Sequence, residues 1–344
     1  MASVPIHKAL VVRLSSFGDV VLTEPVTAAL KRAYPDAQIW FLTKSQFSDL
    51  PRMFEYVDHV LSFTKDVPVA RLLEEVGNPT FELTVDLQNS FRSRLLTKHI
   101  RSRITLRYRR EWFKRFVMVY MPYLWKGRLK HTVDLYSDAL RNLGIESDRL
   151  PTMQPPQEAL QSISREYGLG NLIGLCPGGS SPHKRWGEER FAQLADILMA
   201  GGWQTVIIGT KPDQPEVETT LSKVSSRQTR HFVENDFARV AALLSICKVV
   251  VTNDSGLMHL AAAVGTRVVA IFGPTSPLLG FSPLGSLATV VYRDLKCSPC
   301  SYHGNRPCKY GHRDCLESIE PQAIADVVSE MMESNETQTR DLCS

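Results

Sequence analysis

Short apolar runs alternate with longer amphipathic stretches along most of the chain, and this alternation predicts an α/β fold with parallel sheets. The first run, residues 9–14, is rich in β-branched residues and has the length of a buried strand. Strands are predicted at residues 9–14, 38–42, 56–61, 81–86, 103–106, 172–176, 205–209, 248–252 and 267–272. Helices are predicted between residues 19 and 35 and at residues 131–143, 188–200, 215–224, 237–246, 257–264 and 321–332.

Prolines divide this pattern into two halves. Pro151, Pro155 and Pro156 make residues 150–156 the most proline-dense stretch of the chain, which is typical of a linker. The length of 344 residues fits about two domains. We therefore expect two Rossmann-like, doubly wound domains that face a central cleft, residues 1–150 and residues 151–320. A C-terminal helix and tail, residues 321–344, follow them.

The composition is that of an ordinary globular protein, with 43% hydrophobic and 22% charged residues, which excludes disordered and fibrous classes. The longest apolar run, residues 116–125, has about half of the roughly 18–20 residues that span a bilayer. The N-terminus does not resemble a secretory signal, and the seven cysteines are an odd number. These features predict a cytoplasmic protein with reduced thiols.

Positive charge is concentrated in one part of the chain. Between Arg92 and Lys130 there are thirteen Lys and Arg residues and one acid, Glu111, although the net charge of the whole chain is only +4. The remainder of the chain is therefore acidic. This asymmetry predicts an anionic partner that binds at one place.

Two loops of the second half have the composition of phosphate-binding turns. Residues 177–181, Pro-Gly-Gly-Ser-Ser, follow a predicted strand, and Lys184 comes three residues later. Residues 252–256, Thr-Asn-Asp-Ser-Gly, leave another strand and enter a helix. Backbone amides at glycines, hydroxyl groups and an ammonium group together suit a diphosphate at the carboxyl edge of a sheet. The alternative is that both loops are plain turns that bind no ligand.

The commoner nucleotide-binding motifs are missing from this sequence. It contains no Gly-x-x-x-x-Gly-Lys-Ser/Thr motif, and Gly168-Leu169-Gly170 comes before its strand instead of after it. ATPases and NAD-dependent dehydrogenases are therefore disfavoured.

Asp19 follows Gly18 at a predicted strand-to-helix turn of the first half. A carboxylate there can act as a general base that takes a proton from an acceptor hydroxyl. The same position also suits a plain helix cap, which is a common role of aspartate. Spacing alone leaves both interpretations open.

Several segments, taken in order, resemble one family. They are residues 12–25 (VRLSSFGDVVLTEP), 86–90 (DLQNS), 177–180 (PGGS) with 184–186 (KRW), 253–262 (NDSGLMHLAA) and 272–275 (FGPT). Together they are similar to the motifs of the ADP-heptose:lipopolysaccharide heptosyltransferases, glycosyltransferase family 9. The resemblance spans residues 8–330.

This resemblance implies a GT-B fold and an inverting transfer of heptose from ADP-heptose to a lipopolysaccharide inner-core acceptor, with no cofactor required for catalysis. The first domain would bind the acceptor and the second the nucleotide sugar. Asp19 would be the catalytic base, and Glu216 a ribose contact. His259 could instead be a buried core histidine. The donor-binding residues implied by position are Gly178, Gly179, Ser180, Lys184, Asp254, Ser255, Gly256 and His259.

The basic stretch is interleaved with aromatic residues, among them Trp112, Phe113 and Phe116. Cations with interfacial aromatics suit an anionic, lipid-linked acceptor at the inner face of the cytoplasmic membrane, where the protein would be peripherally bound. The predicted acceptor-binding residues are Arg107, Arg109 and Arg110. A nucleic-acid partner is ranked lower, because no RNA-binding module accompanies the patch. A merely solvated basic face is the remaining alternative.

Four cysteines fall within a short segment near the C-terminus: Cys297, Cys300, Cys308 and Cys315. Such a set can surround a tetrahedral zinc or iron ion, and it would then hold a loop without taking part in the chemistry. Free thiols and a disulfide pair are the other interpretations.

Three functions remain in competition. The leading one is transfer of an ADP-activated heptose to the lipopolysaccharide inner core. The second is another sugar transfer on the same scaffold, such as heptosylation of a protein. The third is a non-enzymatic module that binds anionic polymers through the basic stretch.

Overall fold

The computed structural model describes residues 5–64, 69–121, 124, 127–147, 149–333 and 340–341. The chain forms two compact units. Unit 1 comprises Met1–Arg110 and Thr132–Gln154, and unit 2 comprises Glu111–His131 and Pro155–Ser344. The chain leaves unit 1 for the last time between Gln154 and Pro155, inside the predicted proline-rich linker. Residues 111–131 differ from the expected division, because they belong to the second unit although they come from the first half of the chain.

Unit 1 is a five-stranded parallel sheet with helices, in the strand order β3-β2-β1-β4-β5. Its strands are β1 Lys8–Val12, β2 Gln38–Lys44, β3 His59–Phe63, β4 Phe81–Asp86 and β5 Ser102–Arg107. Its helices are α1 Phe17–Val21, α2 Glu24–Ala33, α3 Asp49–Arg52, α4 Val69–Glu75, α5 Phe91–Lys98 and α7 Thr132–Ser137. Its core includes Leu10, Val12, Leu42 and Phe81, which are almost completely buried.

Unit 2 contains a seven-stranded parallel sheet in the order β12-β11-β10-β9-β6-β7-β8. Its strands are β6 Leu172–Cys176, β7 Gln204–Gly209, β8 Arg230–Val233, β9 Val249–Asn253, β10 Arg267–Ile271, β11 Ala288–Tyr292 and β12 Arg340–Asp341. Its helices are α6 Trp112–Tyr120, α8 Gln157–Tyr167, α9 Glu188–Ala200, α10 Gln214–Lys223, α11 Phe237–Ile246, α12 Gly256–Ala263, α13 Asp314–Glu317 and α14 Pro321–Glu333. Helix α14 packs into the same core as Trp186 and Phe191.

Both sheets reverse their strand order at one point, and both reversals lie beside candidate site residues. In unit 1 the reversal is between β1 and β4, and in unit 2 it is between β6 and β9. Loops leaving neighbouring strands diverge at such a point and open a crevice at the carboxyl edge, where α/β proteins bind their ligands. The fold therefore puts the loops that contain Asp19, Lys184 and Asp254 at ligand-binding positions.

The predicted α/β class is confirmed, and several strands and helices have the predicted bounds. One predicted helix is divided: α1 ends at Val21 and α2 begins at Glu24. Pro25, near the start of α2, has no N–H to donate back, so one continuous helix would lose a hydrogen bond there. The second half of predicted helix 131–143 is a 3₁₀ helix, Asp138–Leu143, which ends at the left-handed Gly144.

Within the described residues no helix has the length and apolar character needed to cross a bilayer. Of the predicted tail, residues 334–339 and 342–344 lie outside the described residues.

Candidate functional site

The Asp19 carboxylate lies in unit 1 at the carboxyl end of β1, held by three side chains. The Arg13 guanidinium is 2.8 Å from Asp19 Oδ2, and the Ser16 hydroxyl donates to the same oxygen at 2.6 Å. The Tyr136 hydroxyl donates to Oδ1 at 3.1 Å. Asp19 is at the third position of α1 and accepts the Ser16 backbone N–H, so it does cap this helix, though not as the first residue. The capping role and a catalytic role are therefore compatible.

These contacts determine the charge state of Asp19. Burial on its own raises the pKa of Asp19, but the Arg13 charge and the hydrogen bonds from Ser16 and Tyr136 lower it by more. The net pKa lies below its ordinary value, so the group is ionised at neutral pH. Burial raises the pKa of the Tyr136 hydroxyl well above its ordinary value, which keeps that group a hydrogen-bond donor.

The loop after β4 supports the backbone that leads to Asp19. Gln88 Oε1 accepts the backbone N–H groups of Leu14 and Ser15, at 3.0 and 3.1 Å. The loop is itself fixed by buried Asp86, which accepts the N–H groups of Gln88 and Asn89 at 3.0 and 2.8 Å. The DLQNS segment is thus a positioning element for the Asp19 loop.

The three predicted acceptor-binding arginines lie at the end of β5 and just after it, and they differ in their contacts. Arg107 Nε is 4.0 Å from Asp86 Oδ2, and Arg110 donates to the Gln88 carbonyl. Arg109 is exposed. The structure therefore brings Arg107 and Arg110 to the same edge of unit 1 as Asp19. Of the basic stretch with its aromatic residues, Tyr123, Trp125 and Lys126 lie outside the described residues.

In unit 2 the two predicted phosphate-binding loops are joined by Asn253. Its side-chain amide donates to the carbonyls of Pro177 and Gly178, at 2.8 and 2.9 Å, and its Oδ1 accepts the Trp186 N–H at 2.9 Å. Asn253 is completely buried. Because a buried amide with every contact satisfied is costly to move, the two loops form one rigid structure.

Lys184 and Asp254 form an ion pair where these loops meet. Lys184 Nζ is 2.7 Å from Asp254 Oδ2, and both side chains are largely buried. The Thr275 hydroxyl, from the FGPT segment, donates to the same oxygen at 2.7 Å. An ammonium group held in this way by one carboxylate keeps two further protons for an anionic ligand.

In the first loop, packing explains the glycine at Gly178 but not the one at Gly179. A Cβ at Gly178 would clash with the Asp213 side chain. The Gly179 carbonyl accepts two hydrogen bonds from the Arg185 guanidinium, at 3.2 and 3.0 Å. Arg185 also pairs with Glu216, whose Oε2 is buried with no hydrogen-bond partner among the described residues. Gly178 and Gly179 are buried, whereas Ser180 is exposed.

Helix α12 begins at the second loop. Ser255 is its N-cap residue, and no hydrogen bond from the helix N–H groups to the Ser255 side chain caps it. Ser255 and Gly256 are partly exposed, so this end of the helix can receive an anion. His259, one turn later, is buried, as the alternative core interpretation expects.

The four cysteines line one pocket, together with His183 and Pro274. Burial and the neighbouring thiols raise the pKa of Cys315 to about 12. Each of the six cysteines that the structure describes is a free thiol. Among the described residues no three His, Cys, Asp or Glu side chains are arranged to hold a metal ion, so the metal centre stays a prediction.

The segment that contains the four cysteines contacts the 177–181 loop and Arg185 directly. The Ser181 hydroxyl donates to the Gly304 carbonyl, and Arg313 donates to the Arg185 carbonyl. Gly304 has a φ of +65°, and a Cβ there would overlap the Lys184 side chain. The segment therefore shapes the position of Lys184, whether or not it binds a metal.

Four residues of the site were not predicted from the sequence: Arg13, Tyr136, Asn253 in its joining role, and Thr275. Arg13 had a readable signal, since a lone arginine in a buried strand needs a partner. Tyr136 had none, because it lies 117 residues from the carboxylate that it contacts.

A family model described as glycosyltransferase family 9 (heptosyltransferase) matches residues 69–310. The lipooligosaccharide heptosyltransferase 2 of Haemophilus ducreyi is 25% identical over 94% of this chain and 99% of its own length. The lipopolysaccharide heptosyltransferase 2 of Escherichia coli is 31% identical over 53% of each chain. The structure of the E. coli ADP-heptose lipopolysaccharide heptosyltransferase II superposes with a TM-score of 0.75, covering 95% and 98% of the two chains at 23% identity. The predicted GT-B fold is thereby confirmed.

Proposed function

The chain belongs to glycosyltransferase family 9, and from that membership we propose that it transfers heptose from ADP-heptose to an inner-core lipopolysaccharide acceptor, with inversion at the anomeric carbon. The family resemblance of the motifs and the assignment as a glycosyltransferase are confirmed by the family match. The curated relatives named above are lipooligosaccharide and lipopolysaccharide heptosyltransferases, which supports this donor and acceptor.

The ion pair of Lys184 with Asp254 is the observation that carries the donor part of the proposal. It lies where the unit 2 sheet reverses its strand order, between β6 and β9, beside the 177–181 loop and the start of α12. A diphosphate there would meet the Lys184 ammonium, the amides of Gly179 and Ser180 and the positive end of the helix dipole. These groups can stabilise the leaving ADP without a divalent ion.

Glu216 is the proposed ribose contact. One of its oxygens is engaged by Arg185, and the other is the buried Oε2 without a partner among the described residues. A buried acceptor left unsatisfied is costly, and a ribose hydroxyl would satisfy it. The fixed Arg185 contact would hold the carboxylate in position for this bond.

Asp19 is the proposed base, acting through Oδ1. Its Oδ2 is occupied by Arg13 and Ser16, whereas Oδ1 accepts only the Tyr136 hydroxyl among the contacts described. Oδ1 takes the proton of an acceptor hydroxyl as that oxygen attacks the anomeric carbon. The bond from this carbon to the diphosphate oxygen breaks with its electron pair, and ADP leaves from the opposite face, which gives inversion.

Asp19→Asn tests this proposal. The amide cannot take a proton, so we expect transfer to fall by at least about 1,000-fold, measured as donor-dependent ADP release with a truncated core acceptor. The affinity for ADP, measured by calorimetry, should stay within a few fold because the donor site lies in unit 2. Asp49→Asn removes a half-exposed carboxylate of unit 1 that pairs with Arg52, and it serves as the control. Equal loss of transfer and of ADP affinity would show that Asp19 is only a structural cap.

Arg107, Arg109 and Arg110 are the proposed contacts of the anionic acceptor. Arg110 donates a hydrogen bond to the Gln88 carbonyl, whereas the ion pair of Arg107 with Asp86 is long, at 4.0 Å, so the double variant Arg107→Gln/Arg109→Gln disturbs the loop less. We expect it to raise the acceptor KM about tenfold or more, while the donor KM changes less than twofold. The control Arg52→Gln/Arg141→Gln removes two exposed charges elsewhere on unit 1. An unchanged acceptor KM would exclude this contact.

We further propose that the enzyme works in the cytoplasm, bound peripherally at the inner face of the membrane that carries its lipid-linked acceptor. Its catalysis requires no cofactor. A zinc or iron ion, if bound, would be held by Cys297, Cys300, Cys308 and Cys315, whose composition suits a tetrahedral thiolate site. Its role would be to fix the segment that supports Lys184. Elemental analysis of the purified protein distinguishes zinc, iron and free thiols.

A further inference from the structure

Helix α6 presents an aromatic face to solvent. Trp112 is 68% exposed, Phe113 63%, Phe116 44% and Tyr120 42%. At 100° per residue these four positions fall within about 100° of the helix surface, so they form one continuous face. Two ring pairs reinforce it, with centroids 5.9 Å apart for Trp112 and Phe113 and 4.8 Å for Phe116 and Tyr120. Scattered single apolar residues are common on surfaces, but four adjacent aromatic rings mark a binding face.

The buried side of α6, formed by Arg115, Met118 and Val119, is packed within unit 2. Met118 and Val119 are buried with Leu129 and Leu279. Arg115 is buried as well, with its guanidinium 4.5 Å from the centre of the Phe281 ring and a hydrogen bond to the Tyr302 hydroxyl. Because the buried face is occupied, the helix cannot turn its aromatic residues inward without breaking these contacts. Unit 2 therefore holds the aromatic face outward.

Positive charge accompanies this face. The Arg306 guanidinium lies over the Tyr120 ring, 5.4 Å from its centre, and Arg128 is exposed in the same segment of the chain. The neighbouring acid, Glu111, is paired with Lys114. Exposed aromatic rings accompanied by cations are typical of elements that lie in the headgroup region of an anionic bilayer.

We propose that the aromatic face of α6 docks unit 2 on an anionic phospholipid bilayer, with Trp112, Phe113 and Phe116 inserted among the headgroups and Arg306 bound to lipid phosphate. The nine-residue helix is too short to span a membrane, so it lies in the plane of the surface. The inference rests on the proposed function in one respect: a lipid-linked acceptor puts the enzyme at such a surface.

Vesicle flotation tests the proposal with the 344-residue chain. Vesicles of phosphatidylcholine with 30% phosphatidylglycerol are compared with pure phosphatidylcholine, and no acceptor is present. We expect the protein to partition at least tenfold better onto the anionic vesicles. The triple variant Trp112→Ser/Phe113→Ser/Phe116→Ser should lose at least tenfold of this binding, and Arg306→Gln about threefold.

Two exposed apolar residues elsewhere serve as matched controls. Leu169→Ser (81% exposed) in unit 2 and Phe91→Ser (80% exposed) in unit 1 should bind vesicles like the unchanged protein. A loss with Phe91→Ser but not with the triple variant would place docking on α5 and overturn the proposal. Vesicle binding by the triple variant that equals that of the unchanged protein would also overturn the proposal. If the triple variant alters the oligomeric state in sedimentation experiments but not vesicle binding, the face is an interface between copies.

Assays of ADP release distinguish a failure of this docking proposal from a failure of the proposed function. With a delipidated, soluble acceptor, the triple variant should release ADP at the normal rate, which also shows that it is folded. With the lipid-linked acceptor in vesicles its rate should fall at least tenfold. Vesicle binding by a protein that transfers no heptose would refute the proposed function and leave the docking face intact.

Discussion

At the scale of single residues, the contacts that hold Asp19 in place also reduce its basicity. Arg13 and Ser16 occupy Oδ2, and their charge and hydrogen bonds stabilise the ionised form. A weaker base accepts a proton less readily, but it is ionised in nearly every molecule at neutral pH. The arrangement is reasonable if the attacking hydroxyl loses its proton late, when the bond to the anomeric carbon is already forming. The Tyr136 hydroxyl is then the contact on Oδ1, the oxygen proposed to take the proton.

Tyr136→Phe removes a hydrogen bond to the ionised form of Asp19 and therefore raises the pKa of Asp19. The proposed base can take a proton only when it is ionised, so kcat/KM is expected to fall as the pH drops through this pKa. We expect the acid limb of kcat/KM to move to higher pH by up to ~1 unit, since one hydrogen bond to a charged group is worth roughly 1.5 kcal/mol.

Carbon-detected NMR titration of the Asp19 carboxyl should show the same upward shift without turnover. The control is Tyr167→Phe, which removes a buried hydroxyl that donates to the His231 carbonyl in unit 2. A uniform fall of kcat/KM at all pH values, with the limb unmoved, would mean that Tyr136 only supports the structure.

At the scale of secondary structure elements, the periodicity of hydrophobic residues was sufficient to predict most strands of the two sheets. Strands β4 and β6 and helices α9 and α11 have the predicted bounds. Helix α8 was not predicted, although Leu160, Ile163 and Tyr167 have helical spacing directly after Pro156. Strand β11 also had a readable signal, a β-branched run at Ala288–Tyr292. Strand β8 had little signal, because only Phe232 of its four residues is buried.

Which unit each helix and strand belongs to could be read only from the structure. Residues 111–131 come before the proline-rich stretch, yet α6 packs in unit 2 through Arg115 and Tyr302, which are 187 residues apart. Local patterns carry no information about such distant contacts. The same reason applies to the candidate site: its loops were predictable from their composition, whereas the contact of Tyr136 with Asp19, 117 residues away, was not. The proposed roles of Asp19 and Lys184, which spacing alone left open, come from the family resemblance of the motifs.

At the scale of the whole molecule, the chain passes from one unit to the other at three places, after Arg110, His131 and Gln154. The last of these follows a segment that is anchored to unit 1 by buried Glu24. Glu24 Oε2 accepts the Thr152 backbone N–H at 3.0 Å, and Oε1 is 3.4 Å from Arg149. Arg149 also pairs with Glu55. One buried carboxyl therefore fixes the end of unit 1, and its protonation state affects the stability of that unit.

We expect Glu24→Gln to change the free energy of unfolding in a way that depends on pH. Burial raises the pKa of Glu24 to about 7, against the lowering effects of the Thr152 N–H and Arg149. A raised pKa favours the neutral carboxyl in the folded state, so its contribution is complete below the unfolded pKa of 4.5 and is lost as the pH rises through 7. The glutamine stays neutral and its oxygen can still accept the Thr152 N–H. The variant should therefore match the parent near pH 5 and exceed its free energy of unfolding by roughly 1–3 kcal/mol at pH 8.

Urea unfolding followed by circular dichroism at pH 5 and pH 8 measures this difference. Glu75→Gln, an exposed carboxyl of unit 1 paired with Arg71, is the control and should leave the difference between the two pH values unchanged. A Glu24→Gln protein that is destabilised equally at both pH values would show that Glu24 is ionised throughout. Its ion pair with Arg149, and not a neutral hydrogen-bonded carboxyl, would then anchor the segment before the last passage between the units.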